Sequence, residues 1–355
     1  MGKTELMVPT RYYARLAELL VRDRVDVSAL LAGLGLSPQL LTHAQGLVPF
    51  SQVDRLLQHL VACGVRSDLA FDLGKLLSAS AHSFVGFGML NSVNLDQALR
   101  FEAQYFRLIL PSFQLRYHSG PDFGELTLTP RVAMSHVCLS FHLEAMGMAA
   151  LREVSDLIGD RRPPCRLQLS IPEPPHHARY REIRDLQCRF GVASAPGVSL
   201  RLLGDPRALP LSMADANARS LAEERCRALV QQMADVRELA GWVAMTLREV
   251  SEGLPTLSEL AGMLNLSPRT LNRYLEREGT TYRELSGRVQ HELACERLAS
   301  GAMSVTEVAY SLGFGDTSNF ARAFRARSGC SPSQYQRQTR PDSGPINAAA
   351  SMLAP

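Results

Sequence analysis

The 355-residue sequence predicts an α+β N-terminal domain followed by an all-α domain built from two helix-turn-helix units. Three observations lead there: one pattern written twice between Thr256 and Tyr335, glycine and proline placed where the helices of such units turn, and strand-like alternation broken by helical spacing between Phe113 and Leu203. In the first copy Leu257–Leu264 is followed by Asn265–Pro268 and then Arg269–Leu275; in the second Val305–Leu312 is followed by Gly313–Asp316 and then Thr317–Phe324. Superposed, they pair Glu259 with Glu307, Ala261 with Ala309, Leu264 with Leu312, Leu271 with Phe320 and Leu275 with Phe324. A repeat of this kind is weighed first, because it fixes the unit from which the domain is assembled.

Each copy opens with an amphipathic helix. Leu260, Ala261 and Leu264 recur at helical spacing as one buried stripe, and Ala261 is small enough for a second helix to cross closely. Val308, Ala309 and Leu312 repeat that stripe. Gly313 follows the last periodic residue, where a left-handed cap costs glycine least. Ser267 before Pro268 predicts an N-cap with proline at the first helical position, and Asp316 or Thr317 caps the matching helix.

The second helix of each copy buries one face and offers the other. Leu271 and Leu275 point inward in the first, which leaves Arg269, Thr270, Asn272 and Arg273 outside. Phe320 and Phe324 are the inward pair of the second; Ser318, Arg322 and Arg325 share an outward stripe, with Thr317 and Asn319 at the helix start. Arginine grips phosphate or takes guanine with two hydrogen bonds, asparagine suits adenine, and serine and threonine do either job. Such residues at the start of a helix fit duplex DNA read in the major groove. Solvated arginines on ordinary amphipathic helices would explain one such match, but not two copies about 49 positions apart, each with its own turn.

Leu260-Ala261, Leu266-Ser267-Pro268-Arg269-Thr270-Leu271, Val308-Ala309, Leu312-Gly313-Phe314, Asn319-Phe320 and Phe324-Arg325, closed by Gly329-Cys330-Ser331-Pro332-Ser333-Gln334-Tyr335, resemble the double helix-turn-helix module of AraC-family transcription regulators. The resemblance covers about residues 236–337. It implies a long helix near Thr281–Ala299 joining two subdomains, with recognition helices entering successive major grooves on one face of the DNA. It also implies a bacterial, sequence-specific transcription regulator whose partners are double-stranded promoter DNA and RNA polymerase. Cys330 stands where such sequences often carry another small or apolar residue.

Length allows two or three domains, and 46% hydrophobic residues support true cores. The sequence has no run of eighteen apolar residues and no basic-then-apolar start, so a soluble cytoplasmic protein without membrane partners is expected. A net charge of +3 does not by itself argue for nucleic acid, yet Thr317–Arg340 holds five arginines and no acid. Arrangement outweighs the total.

Helices are expected between Pro9 and Leu77: Tyr12, Leu16, Leu19 and Leu20 form one stripe, and Leu30, Leu31 and Leu34 another that Gly33 and Gly35 close before a turn at Ser37-Pro38. Gly86 and Gly88 form a GxG without a P-loop lysine, so close backbone packing explains them better than phosphate binding. A helix follows over Asp96–Leu110. Phe113–Tyr117 and Glu125–Arg131 then alternate like strands around Ser119–Asp122. A long helix over Met134–Ile158, a strand near Arg166–Ile171, a helix around His177–Gln187 and a strand at Val198–Leu203 complete an α+β pattern. Asp215–Met233 reads as a helix with Leu221, Leu229 and Met233 on its apolar side, able to pair between subunits or to pack on its own chain.

Gly86–Leu99, Tyr180, Phe190-Gly191-Val192, Leu200, Leu209-Pro210-Leu211 and Ala214-Asp215 resemble, more loosely, the arabinose-binding-type N-terminal domain carried by a subset of the AraC family. That resemblance implies a domain that senses a small-molecule effector or makes a homodimer, and no effector-binding residue follows from it. His136 and His142 share the long helix at a spacing poor for two ligands, with His118 able to approach, and His176-His177 reads as an exposed turn. The seven cysteines are scattered without CxxC spacing and read as thiols of a reducing compartment.

The predicted organisation is therefore a flexible start (1–9), an α+β effector-sensing or dimerisation domain (10–212), a linker helix (213–235), a double helix-turn-helix DNA-binding domain (236–337) and a disordered tail (338–355). No catalytic residue, metal ligand or cofactor is assigned. The alternative function is an enzyme, or a redox or metal sensor, fused to a DNA-binding module; a cysteine-based DNA-repair fusion would need a clustered cysteine zinc site near the N-terminus, which this sequence lacks.

Overall fold

The computed structural model describes residues 5–36, 46–191, 195–233, 239–250, 254–264 and 266–339. The turn expected at Ser37-Pro38 and the tail from residue 340 lie outside them. Internal contacts divide the chain into two compact units, Met1–Glu249 and Val250–Pro355.

The first unit begins with β1 (Met7–Pro9), paired antiparallel with β2 (Leu47–Pro49). This corrects the expectation of a flexible start through residue 9: Val8 is fully buried, and three residues are too few to show a period in sequence. Helices α1 (Arg11–Arg22), α2 (Val27–Gly33), α3 (Phe50–Ala62) and α4 (Leu69–Leu76) follow. Tyr12, Leu16, Leu19 and Leu20 are all buried, as their spacing requires, and Gly35 closes the α2 turn at φ +59°.

Helices α5 (Phe84–Leu90) and α6 (Leu95–Tyr105) bear out the packing role of the GxG pair. A Cβ on Gly86 would stand 1.7 Å from the carbonyl oxygen of Ala79, and one on Gly88 would stand 2.2 Å from the Phe101 ring. A five-stranded sheet comes next, in the order β3-β4-β7-β5-β6: β3 (Phe113–Ser119), β4 (Phe123–Pro130), β5 (Cys165–Leu169), β6 (Leu186–Phe190) and β7 (Val198–Leu203). Its neighbours are antiparallel except β5 and β6. The long helix α7 (His136–Ile158) packs on the sheet at Gly147, where a Cβ would meet Val198 at 3.2 Å and Leu167 at 3.3 Å.

The helix expected over His177–Gln187 is a single turn, α8 (Ala178–Arg181). Asp185 takes a positive φ of 56°, which ends the turn, and Leu186 then pairs with Cys165 to start β6. Helix α9 (Ala216–Gln232) is capped by Asp215, whose carboxylate accepts from the N–H groups of Asn217 and Ala218. Its buried residues are Ala222 and Cys226, while Leu221 is 59% exposed. The expected apolar side is thus rotated, because α9 packs on α5 through its small residues and lays the Arg219 guanidinium over the Phe101 ring at 5.3 Å. Helix α10 (Leu239–Glu249), expected in the DNA-binding domain from residue 236, falls in the first unit: Trp242 Nε1 donates to the Pro130 carbonyl at 2.7 Å, and His136 Nδ1 lies 2.9 Å from a Glu249 carboxylate oxygen.

The histidines are tied to separate partners. His142 Nδ1 donates to the Cys138 carbonyl at 2.7 Å, so its Nε2 accepts from the Tyr13 hydroxyl at 2.9 Å. His118 is exposed on β3. His176 is not in an exposed turn: its Nε2 lies 2.6 Å from Glu144, whose carboxylate also accepts from Tyr180 Oη. Burial pushes the thiols of Cys138, Cys165 and Cys226 up, away from the thiolate that redox chemistry uses. Among the described residues no helix is long and apolar enough to cross a membrane.

The second unit is helical in its described residues: α11 (Leu257–Met263), α12 (Pro268–Arg277), α13 (Tyr282–Ser300), α14 (Val305–Ser311), α15 (Thr317–Ser328) and α16 (Pro332–Thr339). In its second half Ala294 and Leu298 of α13 pack with Val308, Ala309, Leu312, Phe320 and Phe324. The Phe324 ring is 5.8 Å from that of Phe320 and 5.4 Å from that of Tyr335, which anchors α16.

Candidate nucleic-acid interface

The two helix-turn-helix units are built alike down to their caps. Thr256 and Ser304 accept from the N–H groups of Glu259 and Glu307, and each glutamate carboxylate accepts in return from the N–H of its cap residue, so two orphan donors are satisfied at each start. Ser267 Oγ accepts from the Thr270 N–H at 3.1 Å, with Pro268 at the first helical position. Of the two candidates for capping α15, Asp316 does so, accepting from the Asn319 N–H at 2.7 Å. Gly313 has φ +81° in the second turn, the conformation its sequence position predicted.

These starts set the phase of the recognition helices. Leu271 and Leu275 are completely buried on α12, and Phe320 and Phe324 are buried on α15. Arg273 on α12 and Arg322 on α15 lie opposite these pairs, flanked by Arg269 and by Ser318 and Arg325, and all five are exposed. Thr270, Asn272 and Thr317 are half-buried, and Asn319 is exposed.

The polar residues are held by their own helices. The hydroxyls of Thr270 and Ser267 are 2.8 Å apart, and Asn272 Nδ2 donates to Glu276 at 2.7 Å. The Asn319 side chain donates to Asp316 and accepts from Arg322, making a chain of three side chains along the first turns of α15. No ion pair involves Arg269, Arg273, Arg322 or Arg325 among the described residues. Their charge is therefore available to phosphates, the chemistry that dominates affinity for DNA.

Sequence reasoning overlooked two contributors. The capping glutamates are legible as [ST]-x-x-E just ahead of each apolar stripe. Gly287 on α13 lets the Arg327 guanidinium lie close against the helix, where a Cβ would stand 2.5 Å from Arg327 Nη2, and no local pattern announces that contact.

Comparison with known proteins agrees with this geometry. The family model described as the arabinose-binding domain of AraC transcription regulators, N-terminal, matches residues 25–209, and a helix-turn-helix domain matches residues 260–338. The ornithine utilization regulator of Pseudomonas aeruginosa is 30% identical over 338 residues, 94% of this chain and 97% of that protein. The HTH-type transcriptional regulator VqsM of the same organism is 23% identical, over 81% of this chain and 89% of its own. Among solved structures, the transcriptional regulator CdpR from Pseudomonas aeruginosa aligns over 92% of this chain and 97% of its own, at 19% identity and a TM-score of 0.45. With more than half of its residues matched by the first family model, its repeat by the second and nearly its full length by a regulator, the chain belongs to the AraC family of transcription regulators, a DNA-binding regulator with an N-terminal ligand-binding domain.

Proposed function

We propose that α12 and α15 are the two reading heads, each laid in a major groove, and that a small molecule bound by the first unit controls how they engage promoter DNA. Arg269, Arg273, Arg322 and Arg325 hold phosphates or guanine edges, and Thr270, Asn272, Thr317, Ser318 and Asn319 contribute base-edge and backbone contacts. The observation that carries this reading is the opposition, in both copies, of a buried apolar pair and an exposed arginine at the equivalent position, Arg273 on α12 and Arg322 on α15.

A homodimer and a contact with RNA polymerase complete the proposal. The exposed Leu221 and Met213 beside the start of α9 support self-association through that helix. Genome-wide capture of DNA by the purified full chain, followed by footprinting of the strongest site, tests the whole reading. Two protected major-groove segments on one face of the duplex support it. No enrichment above non-specific binding overturns it.

A further inference from the structure

The first unit holds a cavity of about 460 Å3, within the size range of small-molecule sites. Its walls come from β1, the turn into α5, the chain just after α6 and the last turn of α9. Ten of its sixteen lining residues are apolar. Ten apolar side chains against six polar or charged ones suit an occupant with a polar head and an apolar body better than a sugar, whose hydroxyls are spread over its whole surface.

The cavity's charged lining is two guanidiniums against one carboxylate, Glu5, a net positive balance. Arg11 lines the cavity, and its guanidinium makes no ion pair among the described residues. A guanidinium without a counter-ion attracts an anion, and the fork of its two terminal nitrogens matches the two oxygens of a carboxylate. Arg107 brings a second guanidinium to the same lining. Two other groups are already engaged: Glu5 accepts from the Ser51 hydroxyl, and the His82 ring is held between Tyr12 Oη at 3.0 Å and Glu153 at 2.7 Å.

The backbone adds an independent sign. Ser83, at the turn into α5, takes φ +53° and ψ −130°, and it lines the cavity. Left-handed conformations at residues other than glycine persist where surrounding structure enforces them, and they gather at ligand sites.

We propose that this cavity binds a small monocarboxylate with a largely apolar body, its carboxylate paired with Arg11 and its body against Met7, Phe84, Leu229 and Met233. The inference rests on reading the first unit as the effector domain and names the chemistry of the effector. Leu229 lies in the last turn of α9 and Met233 is its C-cap, so the occupant's body packs against the end of that helix.

The test is calorimetric titration of the full chain with 4-phenylbutyrate and cyclohexanecarboxylate, each beside its primary amide. Saturable binding of the acids is expected, with the amides weaker by at least about tenfold. Arg11→Met should erase that preference, and Leu229→Trp should abolish binding of acid and amide alike by filling the cavity from the other wall. Equal binding of acid and amide, an undiminished preference in Arg11→Met, or no saturable binding of either acid overturns the proposal. Acid binding that leaves affinity for captured promoter DNA unchanged keeps the site and removes the effector reading. A change in DNA affinity with another metabolite, in a protein that binds neither acid, does the reverse.

Discussion

Glu259 and Glu307 occupy equivalent places in the two copies and perform the same act. Each carboxylate reaches back to the N–H of the residue three before it, Thr256 at 2.6 Å and Ser304 at 2.7 Å. That backbone hydrogen bond holds both carboxyls below the usual glutamate value. The repeat is therefore chemical as well as topological.

Ser304→Ala should cost roughly 1 kcal/mol by leaving the first turn of α14 with an unmet donor. The capping contribution of Glu307 is present above its unfolded value of 4.5 and fades as pH falls below that, because its folded value is the lower one. Hydrogen exchange of α14 amides in the full chain reads both effects, and an unchanged rate in Ser304→Ala would show the cap to be idle.

Phe324→Ala should destabilise the second unit by about 3–5 kcal/mol, since the ring is buried among Phe320, His291 and Tyr335. Thermal melting is the readout. A variant that melts like the parent means that the inward face of α15 has been misassigned.

Arg322→Ala should weaken DNA binding and lower the slope of log affinity against log salt by about 1, as expected for loss of one phosphate contact. Binding isotherms at several salt concentrations decide this. An unchanged slope removes Arg322 from the backbone contacts.

In the first unit acid acts on buried histidines and buried glutamates with opposite signs. Burial drives His142 down to about 4 from 6.5, and His82 likewise. Both folded values lie below the unfolded one, so the unfolded chain binds the extra proton and stability falls as pH drops from about 6.5 toward 4. Burial raises Glu153 to about 8 and lifts Glu102 well above its usual value, effects of opposite sign that disfavour the fold as pH rises from 4.5. Relative to its own value at pH 7, the urea midpoint at pH 5 should therefore be higher in His142→Gln than in the parent.

Gly86→Ala should destabilise the first unit by roughly 1–3 kcal/mol, because the added methyl meets a backbone carbonyl that no rotamer can move. Gly262→Ala provides the contrast, having nothing within 4 Å of the new Cβ. Equal melting of the two variants would contradict the packing account of Gly86.

The features legible in sequence were those with a period or a local signal. Ser267-Pro268 announced the start of α12, Gly313 the second turn, and the spacings of Leu271 with Leu275 and Phe320 with Phe324 the inward faces. Strand β6 escaped because Leu186, Cys188 and Phe190 alternate over too short a span to compete with the helical reading of the residues before them. The buried face of α9 was misread because Ala222 and Cys226 carry less hydrophobic weight than Leu221, although close approach to α5 favours small side chains. The cavity was invisible for a different reason: Arg11, Ser83 and Leu229 are brought together only by the tertiary fold, and Ser83 has none of the glycine that usually marks a positive φ.

The hydrogen-bonded run from Arg322 through Asn319 to Asp316 links residues of the second proposed reading head to one another. While Arg322 rests on the Asn319 oxygen, one lone pair of that oxygen is occupied. On the proposed reading both side chains meet DNA, so a phosphate that takes the Arg322 guanidinium also releases a lone pair of the Asn319 oxygen. Backbone and base contacts at this helix are then coupled through one hydrogen bond, and a change at either residue is felt at the other.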